Sequence, residues 1–133
     1  MRIPTPEDEQ FRWWRSALVD DEPLIIDEPQ CGFYRRRMAR GGVWVPAKVW
    51  MTQEIDVDGY LEEDEKLHCM VNGRMHSAYD EWLWLAHNPI SEADYNHLVS
   101  LQAWALRNDP DSPEANPHKP VDWVNTPAPT FKK

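Results

Sequence analysis

Residues 31–51 read CGFYRRRMARGGVWVPAKVWM, and the fold follows from how this stretch is parsed. Three consecutive arginines, Arg35, Arg36 and Arg37, lead through Arg40 into Gly41-Gly42. The glycine pair supplies the permissive backbone that a chain reversal needs. Residues 32–40 and 43–55 are therefore predicted to be the two arms of an antiparallel hairpin. In the second arm Val43, Val45, Ala47, Val49 and Met51 share one face, and Trp44, Pro46, Lys48, Trp50 and Thr52 share the other, because strand side chains alternate. The first set reads as core. Pro46 has no N–H for a ladder, so this arm is expected at a sheet edge or with a bulge.

The rest of the chain is built around that hairpin. On its C-terminal side, residues 66–71 and 74–76 flank Asn72-Gly73, the favoured pair for a type I′ turn. The sheet is thus antiparallel, with three to four strands. Ser77 begins a helix closed by Pro89, and Trp82, Leu83, Leu85 and Ala86 make it apolar nearly all round, which predicts deep burial. Ser91 begins the last helix, striped by Leu98, Leu101, Trp104 and Ala105.

On the N-terminal side, Thr5 as cap, Pro6 at the first turn and acidic residues 7–9 predict a helix over 6–20. Leu24-Ile25-Ile26 reads as a brief strand or a buried connector. Strands and helices occurring in blocks give an α+β class: an N-terminal helix, a small antiparallel sheet and two C-terminal helices covering one sheet face. An SH3-like, partly open barrel is an alternative form of the sheet. Residues 1–109 are expected to form one compact domain. Residues 110–133, with six prolines, are expected to be an extended tail, with Val121, Trp123 and Phe131 available to dock back or to meet a partner.

The chain has 133 residues and a formal net charge of −9, a balance that argues against a nonspecific nucleic-acid binder. The charge is blocked. Residues 32–53 carry five basic groups and no acid, whereas residues 54–70 carry seven acids against one base, and residues 1–31 eight acids against three. Eight tryptophans require either an aromatic-rich core or an aromatic contact surface. The two cysteines, Cys31 and Cys69, suit a reducing cytosol as small buried hydrophobes. MRIPTPEDEQ is not a signal peptide, and no apolar run approaches the ~20 residues that span a bilayer. A cytoplasmic protein is expected, with no membrane partner.

Tyr34, Arg35, Arg36, Arg37, Arg40, Trp44, Lys48 and Trp50 are the candidate binding surface. Guanidinium groups beside aromatic rings suit phosphates and bases, and equally suit a protein contact. The competing reading is neutralisation of these arginines by residues 54–65 and the acidic N-terminal block.

The other constellations are weaker. Asp56-Val57-Asp58-Gly59 lacks the ligand spacing of a calcium loop, with glycine at the fourth position and Leu67 at the twelfth. A run of carboxylates imitating a phosphate backbone is the functional alternative for residues 54–65. His68, His76, His87, His97 and His118 form no zinc spacing with Cys31 or Cys69. There is no P-loop, dinucleotide fingerprint, nucleophile elbow or HExxH, so neither a cofactor nor a metal is expected. A Cys69 nucleophile with His76 or His87 as base competes with a plain core role for Cys69. The balance favours a protein without enzymatic activity.

The strings GFYRRRMARGGVWVPAKVW, NPISEADY and KPVDWVNTPAPTF resemble a group of short proteins encoded by tailed bacteriophages and prophages of proteobacteria. The resemblance covers most of residues 31–131 and carries over no catalytic residue. By analogy it implies an accessory protein that binds a host or phage protein in the cytoplasm of the bacterial host. A nucleic-acid-binding module and a small structural virion component are the alternatives.

Overall fold

The computed structural model describes residues 2–20 and 22–117. It confirms the α+β class, with elements α1 (Glu7–Gln10), α2 (Arg12–Val19), β1 (Gly32–Arg37), β2 (Trp44–Thr52), β3 (Lys66–Val71), β4 (Arg74–His76), α3 (Ala78–Leu85) and α4 (Glu92–Asn108). The four strands form one antiparallel sheet in the order β1-β2-β3-β4. β1 and β4 are its two edges, so the strands follow one another as a meander.

The two hairpins differ as their glycines do. Between β3 and β4, Asn72 (φ 54°) and Gly73 (φ 81°) make the two-residue reversal that Asn-Gly predicts. Between β1 and β2 the reversal takes residues 38–43, with Gly41 at φ 72° and the Gly42 N–H donating to Ala39 O at 2.9 Å.

β2 is a central strand, which corrects the expectation of an edge or bulge at Pro46. The reason lies in the register. Pro46 stands opposite Arg35, whose N–H points away from β2 to Asn88 O at 3.1 Å. The Pro46 carbonyl faces the other neighbour and accepts from Asn72 N at 2.9 Å. The missing N–H therefore falls where β3 turns away, and no ladder bond is lost. The free edge of β1 is closed by residues 88–90, where Ile90 N donates to Phe33 O at 3.0 Å and Tyr34 bridges Pro89.

Val45, Ala47 and Val49 face the core as predicted, joined by Tyr34, Cys69, Val71, Ala78, Trp82 and Leu85. Trp82 carries the centre of this layer. It packs edge-on to Tyr34 and Trp13, with ring centroids 5.5 and 5.3 Å apart, and its indole N–H donates to Ile26 O at 2.7 Å. Residues 24–26 are thus a connector and not a strand.

Gly32 is required by packing. A Cβ there would lie 2.5, 2.6 and 2.7 Å from three Trp14 atoms. Trp14 is fixed in turn by its N–H, shared between Phe33 O at 3.0 Å and Ile90 O at 2.9 Å.

The two C-terminal helices lie on opposite sheet faces, contrary to the expectation of one. α3 packs on the Tyr34 face through Trp82. α4 packs on the other face, where Tyr95 meets Phe33 with centroids 5.0 Å apart and Gln102 bonds Asn72. Successive residues Phe33 and Tyr34 point to opposite sides, so each helix takes one of them. Ser77 and Ser91 cap the two helices through Asp80 N and Asp94 N. The predicted deep burial of α3 does not occur, since Tyr79, Leu83 and Trp84 are exposed.

The helix expected over 6–20 is broken at Phe11. Thr5 does not cap it. Its N–H and hydroxyl donate instead to the Glu65 carboxylate at 2.9 and 2.8 Å, a charged acceptor that outcompetes a helix end. Residues 110–117 form hydrogen-bonded turns, and Pro117 is buried, so the start of the predicted tail is not extended. Val121, Trp123, Phe131 and His118 lie outside the described residues.

Candidate functional site: a basic, tryptophan-walled hairpin end

The structure places the eight predicted surface residues in different environments. Tyr34 is a core residue, fully buried, with its hydroxyl donating to Gln30 O at 2.8 Å. Burial pushes its phenol well above the ordinary range. It leaves the candidate surface, and the reason is register: Tyr34 pairs with Ala47 on the core face.

Arg36 shares that face. Its guanidinium pairs with Glu81 of α3, the buried acid of the core layer, and lies over Trp84 at 5.2 Å from the ring centre. His76 Nδ1 stands 3.7 Å from the same carboxylate. Arg36 Nε is buried without a partner.

Arg35, Arg37, Trp44, Lys48 and Trp50 point to the opposite face. Arg35 and Arg37 flank the Trp44 ring, 4.1 and 4.4 Å from its centre, because Arg37 is registered with Trp44 and Arg35 with Pro46. Lys48 Nζ lies 5.5 Å from the Phe33 ring centre and 5.7 Å from that of Trp50. Trp50 also stacks on His68 at 5.5 Å, and the His68 ring is bonded to Thr52 Oγ1 at 2.7 Å. α4 runs from Phe33 to the Asn72 turn and so passes between Trp44 and Trp50. These two rings are six residues apart on β2, about 20 Å along a strand. The predicted surface is therefore two surfaces, with Arg35, Arg37 and Trp44 at the hairpin end and Lys48 and Trp50 at the far end of β2.

Sequence reasoning also proposed that residues 54–65 and the N-terminal block neutralise the arginines. Several of those acids have other partners. Asp64 pairs with Arg2, and Glu63 pairs with Lys66 at 3.3 Å. Asp8 lies 3.7 Å from Arg15. Asp56 Oδ1 accepts from the backbone of Asp58 and Tyr60 at 2.9 and 3.0 Å, folding its own loop. Burial acts to raise the Glu65 carboxyl, but hydrogen bonds from Gln53 and Thr5 and the charge of Arg2 hold it below the ordinary carboxylate value. Among the described residues, Arg35, Arg37, Arg40 and Lys48 have no carboxylate within 4.0 Å.

The hairpin end forms an open cleft of about 440 Å³, with Arg36, Arg37, Arg40, Trp44, Trp84 and Asn88 among its lining residues. Among the described residues, no acidic one lines it. One wall is Trp44 with Arg37 on its ring, and the other is Trp84 with Arg36. Arg40 projects from the loop between them. Trp84 and Asn88 were not singled out in the sequence, where the helix was read as apolar nearly all round. The available signal was the place of Trp84 two residues from Trp82, on a different side of the helix. Chemically, the cleft offers planar cationic donors beside aromatic faces, a combination that binds carboxylates or phosphates next to apolar groups.

Of the other chemistry candidates, the β3–β4 register sets Cys69 opposite His76, but that cysteine is fully buried. Cys31 and Cys69 are both buried and free, and burial pushes their thiols up to about 11 and about 12, opposite to the direction a nucleophile needs. Among the described residues no group of three or more His, Cys, Asp or Glu is placed to hold a metal ion. No helix among them is long and apolar enough to cross a membrane. No protein-family model matches the chain, and no curated protein or solved structure gives a match.

Proposed function

We propose that this chain is a non-enzymatic binding protein that docks an acidic surface of another protein through the basic, tryptophan-walled end of the β1–β2 hairpin. The observation that carries the reading is Trp44, held between the Arg35 and Arg37 guanidiniums, with no carboxylate near either among the described residues. Arginine and tryptophan are the residue types that dominate binding energy at protein interfaces. A guanidinium stacked on a ring also keeps its donors in plane and free for an incoming carboxylate. The resemblance to phage and prophage proteins supplies the setting, a host or phage protein as the partner.

Nucleic acid is the second reading, since stacked Arg and Trp also suit single-stranded bases. The net charge of −9 counts against it, because a polyanion extending past the hairpin end meets a repulsive body.

The test is affinity capture from a proteobacterial lysate with the wild type and the Arg35→Glu/Arg37→Glu variant, at low and raised salt. A protein retained by the wild type, weakened by salt and lost from the variant is the expected result. No difference between wild type and variant would overturn the proposal. So would a salt-dependent shift of single-stranded DNA that the variant abolishes, in the absence of a protein partner.

A further inference from the structure

We infer that the hairpin-end cleft and the outer face of α3 form one recognition surface for a peptide segment in which acidic side chains stand next to large apolar ones. The inference rests on the protein-binding reading above and names the chemistry of the partner.

The basic half is the cleft. Arg37 and Arg40 are exposed at its rim, and Arg36, already paired with Glu81, forms its inner wall. Two guanidiniums that have no carboxylate partner among the described residues, over about 440 Å³, accommodate one or two carboxylates, not a long polyanion.

The apolar half begins at the cleft wall. Trp84 is 53% exposed although its partner in the wall, Arg36, is largely covered. Leu83, the preceding residue on α3, is 70% exposed, and Tyr79, one turn earlier, is 68% exposed. Beside them is a hollow of about 210 Å³ between α3 and the connector, lined by Ile25, Ile26, Tyr79, Leu83 and Ala86 among others. A helix of eight residues that leaves three large apolar side chains in water has an unpartnered face.

The two halves share α3 as their ridge, with Trp84 facing the cleft and Leu83 facing the hollow. The acids nearby set the direction of the ligand. Asp27 lines the hollow and Asp80 is exposed on the same helix. Carboxylates of a bound segment are therefore repelled from the apolar half and drawn to Arg37 and Arg40, while a Leu-, Phe- or Trp-sized group enters the hollow. A nucleic-acid strand following the same path would place phosphates against Asp27 and Asp80.

The test is selection of a random dodecapeptide library, displayed on yeast, against the full chain. Enrichment of Asp or Glu followed within a few residues by Leu, Phe or Trp is expected. The enriched peptides, made synthetically with a fluorescein label, should bind about tenfold more weakly to Leu83→Ser and to Arg37→Glu/Arg40→Glu. These positions are exposed, and an unchanged urea midpoint verifies that each variant is folded. Replacing only the apolar residues of an enriched peptide by serine should weaken binding to the wild type and remove the sensitivity to Leu83→Ser. Enrichment of acidic residues without apolar ones, with loss on Arg37→Glu/Arg40→Glu and none on Leu83→Ser, would overturn this inference and leave the protein-binding reading standing. Absence of any enrichment, or binding only of an oligothymidine control, would overturn both.

Discussion

Replacing Glu81 by Leu should cost about 3 kcal/mol of stability, and replacing its partner at the same time should restore most of it. The Glu81 and Arg36 side chains are only 10% and 19% exposed. Breaking one partner of a buried ion pair costs about 3–5 kcal/mol, because the remaining charge is left in a poor solvent. The low end applies here, since Arg36 keeps some contact with water and the Trp84 ring. Its Nε already lacks a partner, so no spare acceptor stands ready when the carboxylate is removed. Arg36→Met strands Glu81 instead, with only the His76 ring, at 3.7 Å, left beside its carboxylate, and should cost a similar amount. The double variant Arg36→Met/Glu81→Leu removes both charges and fills the site with apolar volume. It should lie within about 1 kcal/mol of the wild type. Urea unfolding followed by far-UV circular dichroism measures all four corners of the cycle. The single change corresponds to a fall in Tm of about 12 °C for a domain of this size. A single-variant cost under about 1 kcal/mol, or a double variant whose cost equals the sum of the singles, would refute the claim that the pair is buried and coupled.

Two further predictions concern the packing and the pH response. Gly32→Ala forces a methyl group into the Trp14 ring, which its two hydrogen bonds hold in place. It should cost about 3 kcal/mol by the overpacking rule, read in the same urea titration, and an unchanged midpoint would show that Trp14 does not pack there. Glu65 has a carboxyl held below its ordinary value of 4.5 in the folded state. A depressed folded pKa contributes stability that is present above the unfolded value and is lost as pH falls through the folded one. Wild type should therefore exceed Glu65→Gln in stability at neutral pH, and the gap should close as pH falls below about 4.5. A gap that is constant between neutral and acid pH would contradict the assignment.

Much of the fold was legible because it depends on neighbours in sequence. The alternation along β2, the Asn72-Gly73 turn and the serine caps of α3 and α4 are local patterns, and each appears where its residues predict it. The errors fall where a residue's role depends on what lies across the fold. Pro46 carries the sequence mark of an edge, yet its central place is harmless because Arg35 and Asn72 orient their N–H groups around it. Thr5 looks like a cap until Glu65, sixty positions away, competes for it.

The candidate site divides in the same way. Residues 31–51 by themselves determined a basic, aromatic hairpin and the face that Trp44, Lys48 and Trp50 share on its second arm, since a period of two needs no tertiary information; the pairing register then put Arg35 and Arg37 on that face. Only the tertiary structure decided which of these charges are free. It buried Tyr34, gave Arg36 to Glu81, occupied Asp56, Glu63, Asp64 and Glu65 elsewhere, and laid α4 between Trp44 and Trp50. It also brought Trp84 from α3 to the opposite wall of the cleft. Charge pairing acts over a few ångströms between segments far apart in the chain, so a count of charges along the sequence measures the net field but not which groups neutralise each other.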